Sequence, residues 1–220
     1  MAIKNSTKAK VNELISRYPA LAVCEADLLA AVRAICEGYH SQHKLLICGN
    51  GGSASDSEHI VGELMKGFLL PRKLGTDMEA KFRASCPDTC AYFMENLQGA
   101  LPAISLVNQI ALNTAFANDQ APDLSFAQQI LGIGDPGDVL LAISTSGNST
   151  NVIYALDMAR AKGLKTIALT GRSGGKIASR KLADTVIRVP EDETFRIQEY
   201  HLPIYHMLCI AAENEFFGAE

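Results

Sequence analysis

The stretch LLICGNGGSASDSEHIVGEL, residues 45–64, carries the first reading of the fold. Apolar residues run without interruption to Cys48, a short polar loop with Asn50, Gly51 and Gly52 follows, and a segment of helical character starts at once. A short, nearly unbroken apolar run is how a strand covered on both faces reads. Glycines between such a strand and a helix allow a sharp turn and close approach of the backbone. The helix carries His59 and Glu63 four residues apart, so both lie on one face.

Similar apolar runs recur along the chain, at KLLIC (44–48), LPAISLV (101–107), DVLLAIS (138–144), KTIALT (165–170) and DTVIRV (184–189). Amphipathic segments separate most of them. Alternation of this kind predicts an α/β protein whose parallel sheet is covered by helices on both faces. The first 43 residues read as helix, with Val11, Leu14, Ile15 and Tyr18, then Leu28, Leu29, Val32 and Ile35, at helical spacing. Pro19 separates two helices. Residues 69–100 break the rhythm and are expected to be an insertion of a helix plus loops: an inert excursion, a lid or a subunit contact. No repeat, low-complexity tract or linker is visible, so one domain over residues 1–220 is expected.

Composition narrows the function. Hydrophobic residues make up 48% of the 220-residue chain and charged ones 20%, ordinary values for a globular protein. The net charge of -4 comes without any basic block, which argues against nucleic acid as partner. No apolar run approaches the roughly 20 residues of a membrane span. The start MAIKNSTKAK lacks the apolar core of a signal peptide. The six cysteines form no C-x-x-C pair, so they read as reduced thiols in a cytoplasmic protein and not as a zinc site.

A second strand–loop–helix unit, LLAISTSGNSTNVIYAL (140–156), points to a ligand. Ser144, Thr145, Ser146 and Ser149 gather four hydroxyls within six positions around Gly147, at the start of a helix. Unpaired N–H groups and the partial positive charge of a helix N-terminus make a neutral cradle for phosphate. A lone N-capping serine would leave the other hydroxyls unexplained. The later TGRSGGK (170–176) has a weaker version of the pattern and reads as a turn. Near the end, RIQEYHLPIYHMLCIAAENEFF (196–217) collects Gln198, Glu199, His201 and His206 on an apolar helix interrupted by Pro203. A His/Glu pair at i, i+4 can supply two ligands to a divalent ion, and this second polar cluster strengthens that reading for His59 and Glu63.

Taken together, CGNGGS…H…E, ISTSGNS and RIQE…H resemble the sugar isomerase (SIS) domain family, most nearly its sedoheptulose 7-phosphate isomerases, also called phosphoheptose isomerases. The resemblance runs from about residue 10 to about residue 215, with 69–100 longer than the family's usual connection. It implies a five-stranded parallel sheet in a flavodoxin-like three-layer sandwich, and a homotetramer with sites shared between subunits. It implies a metal site of His59, Glu63, Gln198 and His206, and a sugar phosphate held by Ser53, Ser144, Thr145, Ser146 and Ser149. Asn50 and Asp119 match further pocket positions, and Gly51, Gly52 and Gln198 are expected to line the substrate. The implied reaction converts sedoheptulose 7-phosphate to D-glycero-D-manno-heptose 7-phosphate. A proton moves between C1 and C2 through an enediol, with Glu63 as base and His206 as acid. The mixed ligand set suits zinc. One departure is Phe195, where the family often has Asp directly before RIQE. Two alternatives accompany this reading: an isomerase of another phosphosugar, and a non-catalytic SIS module, such as those that associate with a bacterial replication initiator. The modules typically replace the glutamate and the last histidine, both retained here.

Overall fold

The computed structural model describes residues 3–219. Five parallel strands, β1 (Leu45–Gly49), β2 (Ala103–Ser105), β3 (Val139–Ile143), β4 (Lys165–Thr170) and β5 (Thr185–Arg188), form one sheet in the order β2-β1-β3-β4-β5. The pleat divides the core. Leu45, Ile47, Leu141, Ile143, Ile167 and Leu169 face one side, where α1 (Asn5–Arg17), α2 (Glu25–His40), α3 (Gly52–Met65) and α10 (Thr194–Phe217) pack. Leu46, Cys48, Leu140, Ala142 and Ala168 face the other, against α7 (Ser125–Ile133) and α8 (Thr150–Ala161). Burial on both faces is why these strands read as continuous apolar runs. The three-layer arrangement is the one expected.

Between α1 and α2 the chain makes a 3₁₀ turn, Pro19–Cys24, so Pro19 separates the two helices as expected. The run at 101–107 contributes only three residues to the sheet, because β2 is an edge strand paired with β1 alone. Residues 69–100 hold two helices, not one: α4 (Thr76–Ser85) and α5 (Pro87–Asn96). Phe82 and Phe93 meet edge to face between them, and α4 buries no residue while α5 buries only Cys90. A hairpin packed chiefly on itself has too narrow an apolar stripe for a clear period, which is why its second helix escaped the sequence pattern. α6 (Ile110–Asp119) also buries no residue, and α9 (Gly175–Ser179) is a short helix after β4.

Pro203 lies inside the 24-residue α10, which is continuous across it. An internal proline costs about 3 kcal/mol. Its neighbours Ile204, Tyr205, Met207 and Leu208 are all buried, and that packing holds the helix.

The strand order sets the position of the site. From β1 the chain crosses to β2 on one side, and β3 lies on the other. In open α/β sheets ligands bind at such a switch point, beyond the carboxyl ends of the strands. The two adjacent strands end level, with Gly49 of β1 opposite Ile143 of β3. Their loops are the two polar loops singled out in the sequence.

Candidate active site

The loop after β1 is shaped by glycine. Gly51 has φ of 57°, in the left-handed region. Any Cβ on Gly49 would lie 2.6 Å from the Ser53 carbonyl oxygen, and one on Gly52 would collide with the Gln198 side-chain amide. Gln198 therefore lies against the first turn of α3. Asn50 turns toward the neighbouring loop, exchanging two amide hydrogen bonds with Asn151, at 2.9 and 2.8 Å. Ser53 is buried beneath the turn.

The loop after β3 holds the four hydroxyls. Ser149 stands at the N-cap of α8 without making a capping bond; its Oγ pairs with Ser144 Oγ at 3.0 Å. Gly147 has φ of 64°, and a Cβ there would strike the backbone of Gly174. The stretch read as a plain turn, 170–176, is a buttress for this loop. Gly171 N–H donates to the Thr145 carbonyl at 2.9 Å, Ile177 N–H to that of Gly147 at 3.1 Å, and Lys176 N–H to Asn148 Oδ1 at 2.9 Å. Such bracing fixes the backbone of the loop at the N-terminus of α8, an arrangement that suits an anion.

α3 and α10 run side by side in the same direction and bring the titratable groups together. His59 Nε2 lies 3.2 Å from Glu63 Oε1. The His206 ring stands edge-on to that of His59, with centroids 5.1 Å apart, and Phe68 and Tyr205 complete its surroundings. Burial, and then the proximity of His59, push the His206 pKa below the usual imidazole value, so its neutral form is favoured. His206 Nε2 is buried without a hydrogen-bond partner. His206 also forms a wall of an open cleft of about 280 Å³ between α1 and α10, beside Lys10 and Arg17.

Arg72 and Glu213 hold this arrangement from behind. Both are buried and paired at 2.9 Å. Arg72 also donates to the carbonyls of Leu64 (2.6 Å) and Glu63 (3.0 Å), and Glu213 accepts the N–H groups of Phe68, Leu69 and Leu70. The turn of α3 that carries Glu63 is thus fixed to α10.

The expected residues are gathered unevenly. His59, Glu63 and His206 stand together. Gln198 lies nearer the start of α3, against Gly52. Asp119 ends the exposed α6, where it accepts a bond from Asn118 at 2.8 Å; no hydrogen bond joins it to the other candidates among the described residues. Phe195 is exposed at the start of α10. His201 is wholly buried and belongs to the core. Two imidazoles, a carboxylate and an amide are donors that suit zinc, and the orphaned His206 Nε2 is available to bind. As the side chains stand, no three His, Cys, Asp or Glu among the described residues converge on one point. Asn151, Tyr205 and the Arg72–Glu213 pair were not singled out in the sequence. Nothing in the spacing of the sequence marks any of them.

Known proteins bear on this arrangement. The SIS domain family profile matches residues 93–171. A phosphoheptose isomerase of Akkermansia muciniphila is 34% identical over 93% of this chain and 94% of its own. The chain belongs to the phosphoheptose isomerase family. Two solved phosphoheptose isomerases share its fold. That of Neisseria gonorrhoeae has a TM-score of 0.71 at 32% identity, covering 92% of this chain and 94% of its own. That of Francisella tularensis has a TM-score of 0.73 at 30% identity, over 90% and 91%. Agreement along nearly the whole of each chain places both loops and α10 within the shared phosphoheptose isomerase fold.

Proposed function

We propose that this protein is an aldose–ketose isomerase of a phosphorylated sugar, with sedoheptulose 7-phosphate as substrate and D-glycero-D-manno-heptose 7-phosphate as product. The observation that carries the reading is the grouping of Glu63, His59 and His206 between α3 and α10, in a chain of the phosphoheptose isomerase family. Ser144, Thr145, Ser146 and Ser149, with the N-terminus of α8 behind them, bind the phosphate, and Ser53 and Asn50 border it from the β1 loop. Fixing the phosphate orients the sugar, so that the carbon to be deprotonated is presented in one geometry.

Glu63 removes the proton beside the carbonyl and returns it to the neighbouring carbon, passing through a cis-enediol. A positioned carboxylate of this kind contributes roughly 10²–10⁴-fold. His206 serves ring opening and the proton on oxygen. Its depressed pKa keeps the imidazole neutral and able to take a proton before giving one. His59, Glu63, Gln198 and His206 would hold a divalent ion, and the donor set suits zinc. When bound, such an ion supplies polarisation of the substrate carbonyl. The assembly consistent with this reading is a homotetramer with shared sites. In support, Ile110 and Leu112 of α6 and Leu202 of α10 are exposed on the isolated chain.

The deciding experiment is solvent exchange. Phosphorylated ketoses and aldoses are incubated with the protein in heavy water, and deuterium at C1 and C2 is followed by NMR. Exchange with the heptose phosphates and not with pentose or hexose phosphates supports the assignment. Exchange only with another sugar phosphate changes the substrate. Binding without exchange of any of them makes the protein a phosphosugar-binding module.

A further inference from the structure

We propose that Asn151 is a positioning residue for substrate binding: it locks the Asn50 carboxamide in one orientation, so that a fixed N–H of Asn50 meets an oxygen of the phosphorylated sugar. This rests on the reading of the loops after β1 and β3 as the substrate site. Asn50 lies in the first of these loops, and Asn151 lies 101 positions later, in the first turn of α8. Asn50 Nδ2–H donates to Asn151 Oδ1 at 2.9 Å, and Asn151 Nδ2–H donates back to Asn50 Oδ1 at 2.8 Å. The backbone N–H of Val152 donates to the same Asn151 Oδ1 at 3.0 Å.

The donor count fixes both amides. A backbone N–H can only donate, so the atom of the Asn151 carboxamide that faces Val152 is its oxygen. Its nitrogen then lies on the other side and needs an acceptor, so the Asn50 atom that it meets is oxygen. Asn50 cannot turn its amide over without losing both bonds of the pair. Asn151 Oδ1 accepts two hydrogen bonds and is saturated, while each NH₂ gives one hydrogen and keeps one. Asn50 is left with one N–H and one lone pair, each held in a set direction. That neutral donor stands where the two loops meet, beside the N–H groups that α8 leaves unpaired at its start. A donor already in place loses little freedom when a ligand arrives, which is what preorganisation contributes to affinity.

The bond to Val152 serves the same pocket. Val152 is the third residue of α8, whose N–H an N-cap side chain ordinarily takes. Ser149 is the N-cap and makes no such bond, and its Oγ pairs with Ser144 Oγ instead. Asn151 takes over the capping, which leaves the Ser149 hydroxyl to the loop.

The test uses the full-length protein and the heptitol 7-phosphate made by reducing the carbonyl of sedoheptulose 7-phosphate. This probe keeps the phosphate and hydroxyls but has no carbonyl to react. Its affinity is measured by titration calorimetry for wild type, Asn50→Ala, Asn151→Ala and the double variant. Each single change is expected to weaken binding roughly 10-fold, the low end for a hydrogen bond to a charged group. The double variant is expected to bind no more weakly than Asn50→Ala, because Asn151 acts through Asn50. Single losses that multiply to roughly 100-fold in the double variant overturn the proposal. So does unchanged binding in either single variant. A merely structural Asn151 would cost stability without this coupling. Asn151→Asp separates positioning from capping: a carboxylate still accepts from Val152 but has no N–H for Asn50. It is expected to weaken binding more when Asn50 is present than in Asn50→Ala. Equal losses in the two backgrounds assign the effect to charge repulsion and overturn the proposal. If Asn151→Ala does not fold, by circular dichroism, Asn151→Asp decides. If neither folds, Asn151 is a structural residue and the proposal falls. Wild type that does not bind the heptitol phosphate refutes the reading of the substrate site itself, and the proposal falls with it.

Discussion

Replacing Glu213 should be among the most damaging single changes in this protein. Its carboxylate is 1% exposed and paired with Arg72, whose side chain is fully buried. Removing one partner of a buried pair strands the other charge, which costs about 3–5 kcal/mol. Glu213 also accepts N–H groups from Phe68, Leu69 and Leu70. Leu69 is exposed, so water replaces part of what is lost there, and these bonds add about 1 kcal/mol together at the low end of the usual range. Glu213→Ala is therefore expected to cost about 4–6 kcal/mol, a large share of a typical stability of about 5–15 kcal/mol. Glu213→Gln keeps the shape and part of the hydrogen bonding but not the charge, and should cost nearly as much. The double variant Arg72→Met/Glu213→Leu removes both charges and should recover part of the loss, but not all. The carbonyls of Glu63 and Leu64 and the three N–H groups still lose their partners. Urea unfolding followed by circular dichroism gives each free energy, repeated at several protein concentrations because assembly makes the midpoint concentration-dependent. A cost below about 1 kcal/mol for Glu213→Gln would refute the argument from charge compensation.

Three further outcomes are expected. Ser144→Ala/Ser146→Ala should weaken binding of a phosphorylated sugar while leaving the dephosphorylated sugar unaffected by calorimetry; equal losses would remove the phosphate role of this loop. Glu63→Gln should lower turnover roughly 10²–10⁴-fold with zinc content measured alongside, and activity restored by added zinc would make Glu63 a ligand and not the base. The His201 pKa is pushed down to about 4 by burial, a cost the backbone of Thr170 only partly offsets. The unfolded chain therefore takes up this proton first as pH falls, and stability present above about pH 6.5 declines toward pH 4 by roughly 3 kcal/mol. His201→Leu should flatten that slope in pH-dependent urea titrations, and an unchanged slope would assign it to other groups.

The fold was legible because its strands are buried on both faces, which writes each of them into the sequence as an apolar run. Leu45–Gly49 and Val139–Ile143 are buried at every position. The edge strand β2 was overread for the same reason. The apolar run extends through Leu106, which is buried, but pairing stops at Ser105. In the site, the loops and the His59/Glu63 face could be read because each is local: a glycine turn, a cluster of hydroxyls, a spacing of four. What escaped was long-range. Tyr205 acts on a residue 146 positions earlier, and Glu213 on one 141 positions earlier. No local pattern distinguishes a tyrosine that holds a histidine from one that packs. Arg72 and Glu213 look like surface charges until the packing of α10 removes them from water.

The role of α10 follows from these contacts. One helix places Gln198 against the β1 loop, Tyr205 and His206 against His59, and Glu213 behind the turn that carries Glu63. Because α10 and α3 run parallel, successive turns of one meet successive turns of the other, so the spacing of polar residues along α10 fixes where each acts. Pro203 sits in the middle of that run, where it removes a backbone N–H and with it one rung of the helix. A helix carrying that penalty is stable only while its apolar face is packed. The same packing holds the site residues in register. The site and the C-terminal helix are thus expected to order together, because the buried Arg72–Glu213 pair cannot form until α10 has docked.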